Sequence, residues 1–231
     1  MDPLYRFTGV RCEDSGRLYS FTLHAGETRL LQLASRNEKN ALIDCATGEQ
    51  VCTEGKIEIA RGDRRRRRQA VRASGERRVA NGPIPLFWQP LSASQPGRIG
   101  WAAANGGLIS NLRVWENVTL PLWYHAGYES VDTEMKIRRW LVVLGMEENS
   151  FDAFMAAHPH DIELWQRKLA GLLRALVQKP DVMVVDSALL GNIRENFVQN
   201  WIMALESYAA EGGAVLMVAD KAMSVQWERI E

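Results

Sequence analysis

Gly26 to Ile57 reads GETRLLQLASRNEKNALIDCATGEQVCTEGKI, and the interpretation of its middle third decides the fold. Thr28 to Leu33 is a short apolar run suited to a buried strand, a loop leads to Lys39, and the apolar stretch that follows suits a helix. Strand, loop, lysine and helix in this order form the layout of a phosphate-binding loop. The chemistry of that loop has been replaced. The pattern G-x-x-x-x-G-K-[ST] uses glycines so that successive backbone N–H groups turn inward as an anion nest, and a hydroxyl to hold a metal. Here Leu33 stands at the first glycine position, Glu38 precedes the lysine, and Asn40, followed by Ala41, takes the hydroxyl position.

Working outward, 231 residues suffice for one substantial core with a small lobe, and 46% apolar content is ordinary for a globular chain. A formal net charge of zero argues against whole-surface attraction to nucleic acid or anionic lipid. Cys12, Cys45 and Cys52 are odd in number and lack zinc spacing; with no signal peptide or long apolar run, a reducing cytosol is the expected compartment. A membrane role would then run through a partner. Eight Trp residues are many for this length; they serve as core filler or as interface anchors.

Residues 4 to 33 hold short apolar runs broken by Asp14-Ser15-Gly16 and Ala25-Gly26, which predicts an antiparallel β lobe, completed by a strand at Lys56 to Ile59. Arg61 to Gln95 shows no periodicity. Its five arginines, Arg64 to Arg68, fit a solvated turn or helix face, or alternatively a nucleic-acid or acidic-headgroup patch, although no aromatics are interleaved for base stacking. From Arg98 the chain alternates helices and buried strands. Helices are expected at Trp115–Tyr124, Glu134–Leu144, Leu164–Val177 and Ile193–Glu211, the third stopping before Pro180. Val182–Val185 and Ala214–Ala219 are apolar enough for a parallel sheet covered on both faces. With the helix between them they close a βαβ unit.

Taken in order, these segments resemble the nucleotide-binding subunits of ATP-binding-cassette transporters over almost the whole chain. GETRLLQL and KIEI match the strands around the P-loop, and IGWAAANGGLISNLRVWENVTLPL matches the Q-loop and the start of the helical subdomain. HPHDIELWQRKLAGLLRALVQKP matches the signature motif with its helix, and DVMVVDS the Walker B strand. Lys39 and Asp186 lie 147 positions apart, which suits the family. WENVTLPLWYH looks most like the ATPase subunits of MCE-type lipid transport systems. The resemblance implies an α/β P-loop NTPase fold, a single cassette domain over 1–231. Residues 1–60 would form the β lobe and altered P-loop, 61–97 a variable insertion, 98–165 the Q-loop and helical subdomain, and 166–231 the Walker B and switch core.

The departures from the family are as systematic as the match. Ala104 falls at the Q-loop glutamine, and Glu163, Leu164 and Trp165 replace the signature serine and glycines. Ser187 falls at the catalytic glutamate after Asp186, and Asp220 at the switch histidine. Near Cys12 to Asp14 no aromatic is evident for stacking on adenine. Phosphoryl transfer relies on positioning and charge stabilisation, and each contributing part is altered. A Glu38 carboxylate about 4 Å from a phosphate would repel it by roughly 4 kcal/mol at an effective dielectric near 20. That alone weakens binding about a thousandfold.

Residual nucleotide contacts would fall to Lys39, Asn40 and Ala41, and any Mg²⁺ to Asp186. The blander expectation is that Lys39 pairs locally with Glu38 or lies in solvent, and that Asp186 is a structural strand-end carboxylate. Glu163 and Trp165 would either face the opposite subunit or leave Trp165 covering its own helix start. His158 and His160 near Asp161 suggest a surface pair with Asp161 as helix N-cap rather than a metal site. Ser187 lacks a nucleophile elbow. No cofactor is therefore expected, ATP and Mg²⁺ entering only if slow hydrolysis survives. The implied partners are a transmembrane permease, docked over Asn105–Tyr124 through Leu112, Trp115 and Trp123, and a second cassette ATPase or another copy of this chain. The expected place is the cytoplasmic face of the inner membrane, and nucleic acid is not an expected ligand.

Overall fold

The computed structural model describes residues 2–12, 16–61, 87–91, 97–125, 130–223 and 225–230. β1 (Pro3–Arg11) pairs antiparallel with β2 (Tyr19–His24) on one edge and with β4 (Glu54–Arg61) on the other. β5 (Phe87–Pro90) completes the order β2-β1-β4-β5. The period-two alternation of a strand puts Tyr5 and Phe7 into one apolar cluster with Ile57 and Ile59 of β4. This is the expected lobe, with one correction at its end. β3 (Thr28–Gln32) leaves it and lies in a second, parallel sheet of order β6-β7-β8-β3-β9.

In that sheet β6 (Ile99–Ala102), β7 (Val182–Asp186), β8 (Ala214–Ala219) and β9 (Glu228–Ile230) run parallel with β3. Every residue of β7 and β8 is buried, as continuous apolar strands are when both faces are covered. One apolar cluster joins the sheet to the lobe and to α1 (Arg36–Thr47). The other packs it against α2 (Val114–His125), α3 (Ser130–Val143), α4 (Phe151–Ala156), α5 (Leu164–Gln178) and α6 (Glu195–Ala210). α5 ends before Pro180 as expected, with Lys179 left-handed at φ 50°. α4 and β9 are too short to show periodicity, which is why the sequence does not announce them. The Arg64–Arg68 run lies outside the described residues, and of Arg61–Gln95 only residue 61 and 87–91 are described.

One close approach fixes the turn after β6 against α5. A Cβ on Gly171 would sit 2.3 Å from the Gly106 carbonyl oxygen, and Gly106 itself has φ +87°. Arg174 then donates to the Gly107 and Gly106 carbonyls at 2.9 and 3.2 Å. Burial pushes this guanidinium below its ordinary pKa.

Candidate functional site

Where a phosphate-binding loop is expected from the sequence, helix begins before the lysine. α1 begins at Arg36, three residues before Lys39, so Glu38 and Lys39 are helical residues. Ser35 is the N-cap, and its hydroxyl accepts from the Glu38 amide at 3.2 Å. The Glu38 carboxylate reaches back and accepts from the Ala34 amide at 3.0 Å, and the Lys39 amide donates to the Ser35 carbonyl. A non-glycine chain closes its amides locally in this way, where glycines would leave them turned toward an anion. Leu33 is 4% exposed, extends β3 by donating to the Ala219 carbonyl at 2.7 Å, and belongs to the core.

Glu38 differs from the expectation that it faces a phosphate pocket and repels across it. Its other oxygen accepts from the Tyr19 hydroxyl of β2 at 2.7 Å, and the residue is buried. Its contribution is to hold the loop closed and tie α1 to the lobe. Tyr19 carries no signal in the sequence, because its partner lies across the lobe–sheet boundary.

Lys39 also departs from both expectations for it, a local pair with Glu38 and a place in solvent. It is 2% exposed, and its Nζ lies 2.8 Å from Asp186 Oδ1 and 3.5 Å from Asp220 Oδ1. Asp186 ends β7 and also accepts from the Ala188 amide at 2.9 Å. Asp220 follows β8. The lysine and aspartate kept from the motifs, Lys39 and Asp186, therefore meet Asp220, at the switch position, in one ion cluster with two carboxylates around one ammonium. Ser187 is buried beside it at the start of a 3-10 turn, Ser187–Leu190.

A magnesium–triphosphate does not fit the groups present. The amides at 34, 38 and 39 have protein acceptors, and the lysine already faces two carboxylates. Asn40, at the hydroxyl position, is exposed while Lys39 beside it is buried, and Ala41 offers only a methyl, packed against the lobe core. Ala104, half-buried in the turn after β6, has no side-chain polar atom to offer. The adenine-side reading at Cys12 to Asp14 falls largely on residues 13–15, outside the described residues.

The start of α5 is closed in the same manner. Its N-cap is Glu163, which corrects the assignment of Asp161; the Glu163 amide donates to Gln166 Oε1 at 2.9 Å. The Trp165 indole N–H donates to Glu163 Oε2 at 2.8 Å, and its ring lies on Phe197 of α6 at 4.8 Å. Trp165 thus covers its own helix start, while Leu164 is 42% exposed. Lys168, one turn further along, is a residue that sequence reasoning misses. It is buried, and its ammonium donates to the Ala188 and Gly191 carbonyls at 2.8 and 2.6 Å, tying α5 to the loop after β7. Burial lowers its pKa, against the opposing pull of Asp186. His158 and His160 stack at 5.5 Å with Asp161 beside them; among the described residues no cluster of His, Cys, Asp or Glu has the geometry for a metal.

The residues expected at a docking face lie in α2 or just before it. Trp115 lines a cleft of about 450 Å³ between α2, α3 and α4, with Ile137, Leu141, Phe151 and Met155 as further apolar walls. Arg138 braces its rim through Glu134 at 2.9 Å and Asp152 at 2.8 Å. Leu112 is half-buried, and Trp123 is 54% exposed near the end of α2.

The architecture has close counterparts among solved structures. One, described as the ATP-binding subunit of an ABC transporter, superposes with a TM-score of 0.68 over 94% of this chain and 79% of that one, at 14% identity. The fold is that of the ABC ATPases. A dimeric ATP-binding cassette, MJ0796, in a post-hydrolysis state with ADP and Pi, superposes with a TM-score of 0.67 over 94% of this chain and 88% of the other at 16% identity. By sequence, the methionine import ATP-binding protein MetN 1 of Acinetobacter baylyi is 30% identical over 91 residues, which are 39% of this chain and 24% of that protein. The chain thus matches only about a quarter of the length of that curated ABC relative. No family model matches.

Proposed function

We propose that this chain is a catalytically degenerate ABC nucleotide-binding subunit, a pseudo-ATPase that docks on a membrane permease as a scaffold. The observation that carries this reading is the Lys39 ammonium held between Asp186 and Asp220, where phosphate and metal contacts would be needed. The self-closed starts of α1 and α5 support it, because a helix N-terminus binds anions through open N–H groups. In this proposal the subunit pairs with a second ATPase or with itself on the cytosolic face of the inner membrane. Among the described residues no helix is long and apolar enough to cross a membrane. With a competent partner the pair has at most one good site, and the Glu163–Trp165 closure leaves even that one short of a phosphate-gripping face.

Docking is assigned to the α2–α3–α4 cleft, with Trp115 in its wall and Trp123 and Leu112 flanking it. For the cargo, WENVTLPLWYH supports an MCE-type lipid system. The methionine-import relative favours a second reading, a subunit of a small-molecule importer. Co-purification with membrane proteins separates the two by the permease recovered. A Trp123→Ser variant is expected to keep its stability and lose that permease; retention of the permease by this variant and by Trp115→Ala together refutes the docking assignment. Calorimetric titration with Mg-ATP tests the catalytic reading. The expected result is no binding. Micromolar, Mg²⁺-dependent binding abolished by Lys39→Ala would establish the alternative, a slow or atypical ATPase.

A further inference from the structure

Cys12, Cys45 and Cys52 share no motif spacing, yet the fold brings them together at the end of α1 opposite Lys39. Cys12 follows β1, Cys45 lies in the last turn of α1, and Cys52 lies in the link to β4. The link is pinned to β1 at that point, because both the amide and the hydroxyl of Thr53 donate to the Arg11 carbonyl, at 3.0 and 2.8 Å. The neighbours of that contact are therefore Cys52 on one side and Cys12 on the other. The Gly48 amide donates to the Cys45 carbonyl at 3.2 Å, and those of Glu49 and Gln50 to the Asp44 carbonyl at 2.9 and 3.1 Å. These contacts fold the link back over the helix end. Cys12 and Cys45 belong to one buried apolar cluster, and Cys52 packs against it. Cys12 and Cys45 are 1% and 4% exposed; Cys52 is half-buried and open to a small oxidant.

We propose that this trio is an oxidation site, at which Cys52 is attacked first and Cys45 resolves it into an intramolecular disulfide. With hydrogen peroxide as oxidant, the Cys52 sulfur gains oxygen to become a sulfenic acid and one water leaves. The Cys45 sulfur then displaces that oxygen, forming the S–S bond and releasing a second water. A small-molecule disulfide accomplishes the same net removal of two hydrogens by exchange, leaving two small thiols. The cross-link staples the end of α1 to the link leading into β4, on the helix whose first turn carries Glu38 and Lys39.

The site reacts slowly near neutrality. Hydrogen bonding with Cys12, an opposing hydrogen bond with Cys52, and burial together push the Cys45 thiol up to about 12; the hydrogen bond with Cys45 and burial push Cys52 higher still. Because the thiolate is the nucleophile, the rate should rise about tenfold per pH unit across the neutral range. In a glutathione-reduced compartment the trio stays as thiols, which makes it a record of oxidative exposure rather than a structural bond.

The test is to treat the full chain with hydrogen peroxide, or separately with oxidised glutathione, followed by alkylation under denaturing conditions and peptide mass mapping. The expected product is a monomer lighter by two hydrogen atoms, with Cys45 joined to Cys52 and Cys12 alkylated. Cys12→Ser should give the same linkage, and Cys52→Ser, at the more exposed position, should slow oxidation at least tenfold with its circular dichroism unchanged. A Cys12–Cys45 bond as the main product, an unchanged rate in Cys52→Ser, or three freely alkylated thiols after treatment would each overturn the proposal.

Discussion

Lys39→Met separates a structural lysine from one kept for a ligand. Methionine preserves an unbranched side chain and deletes the ammonium, leaving Asp186 and Asp220 with side chains only 10% and 16% exposed and no counter-charge between them. Removing one partner of such a buried arrangement costs about 3–5 kcal/mol. For a domain of this size each kcal/mol moves the melting temperature by about 2–4 °C, so the variant should melt about 6–20 °C lower. Thermal and urea unfolding both read this. Replacing the two acids as well, in Lys39→Met/Asp186→Asn/Asp220→Asn, should recover most of the loss, since the carboxamide introduced at position 186 still offers an oxygen to the Ala188 amide. A drop under about 2 °C with the fold intact would refute the reasoning, as it would mean the lysine is not committed to the carboxylates. So would wild-type stabilisation by Mg-ATP, because a ligand at a hundred times its Kd adds about 2.7 kcal/mol.

Two further substitutions probe how the site is braced. Gly171→Ala would place a Cβ 2.3 Å from the Gly106 oxygen; overpacking of about 1–3 kcal/mol should exceed the ~1 kcal/mol that alanine gains over glycine in a helix, lowering the urea midpoint. Lys168→Met leaves the Ala188 and Gly191 carbonyls without their donor and should cost about 1–3 kcal/mol. The sign of its pH dependence is also fixed. Because burial lowers the folded pKa of Lys168 below its ordinary 10.5, the unfolded chain binds more protons in the window just under that value. The contribution of Lys168 to stability therefore rises with pH there, and the variant should lack that rise in urea titrations across the window.

Periodicity makes most of the fold legible. Ala214–Ala219 is continuous apolar sequence and is β8 residue for residue; Leu164–Val177 shows a wide apolar stripe and is α5 to within one residue. The sheet to which β3 belongs cannot be read in the same way, because an apolar strand carries no mark of which neighbour it pairs with. Its parallel partners, β8 and β9, lie nearly two hundred residues further on. At the site the residue types are legible and the pairings are not. Glu38 and Lys39 are adjacent, so a local pair is the simple expectation, but on a helix successive side chains point about 100° apart. One therefore reaches Tyr19 in the lobe and the other reaches the sheet. The thiol trio is hidden for the same reason, since its members are brought together by the β1–β4 pairing and the end of α1.

How the closed loop is held also bears on whether one reversion reopens it. Glu38→Gly would restore the glycine before the lysine and remove a buried carboxylate. It would also delete the oxygens to which the Ala34 amide and the Tyr19 hydroxyl donate, while leaving Ser35 as N-cap and Lys39 fixed between Asp186 and Asp220. The expected outcome is a less stable chain, by about 1–3 kcal/mol for the lost hydrogen bonds, that still binds no Mg-ATP in a calorimetric titration. Gain of Mg²⁺-dependent binding on this single change would show that Glu38 alone keeps the loop shut. The ion cluster argues otherwise, because a phosphate would have to draw Lys39 away from two carboxylates whose own burial then becomes unfavourable. Two closures that lean on different partners, one in the lobe and one in the sheet, do not open together when one of them is removed.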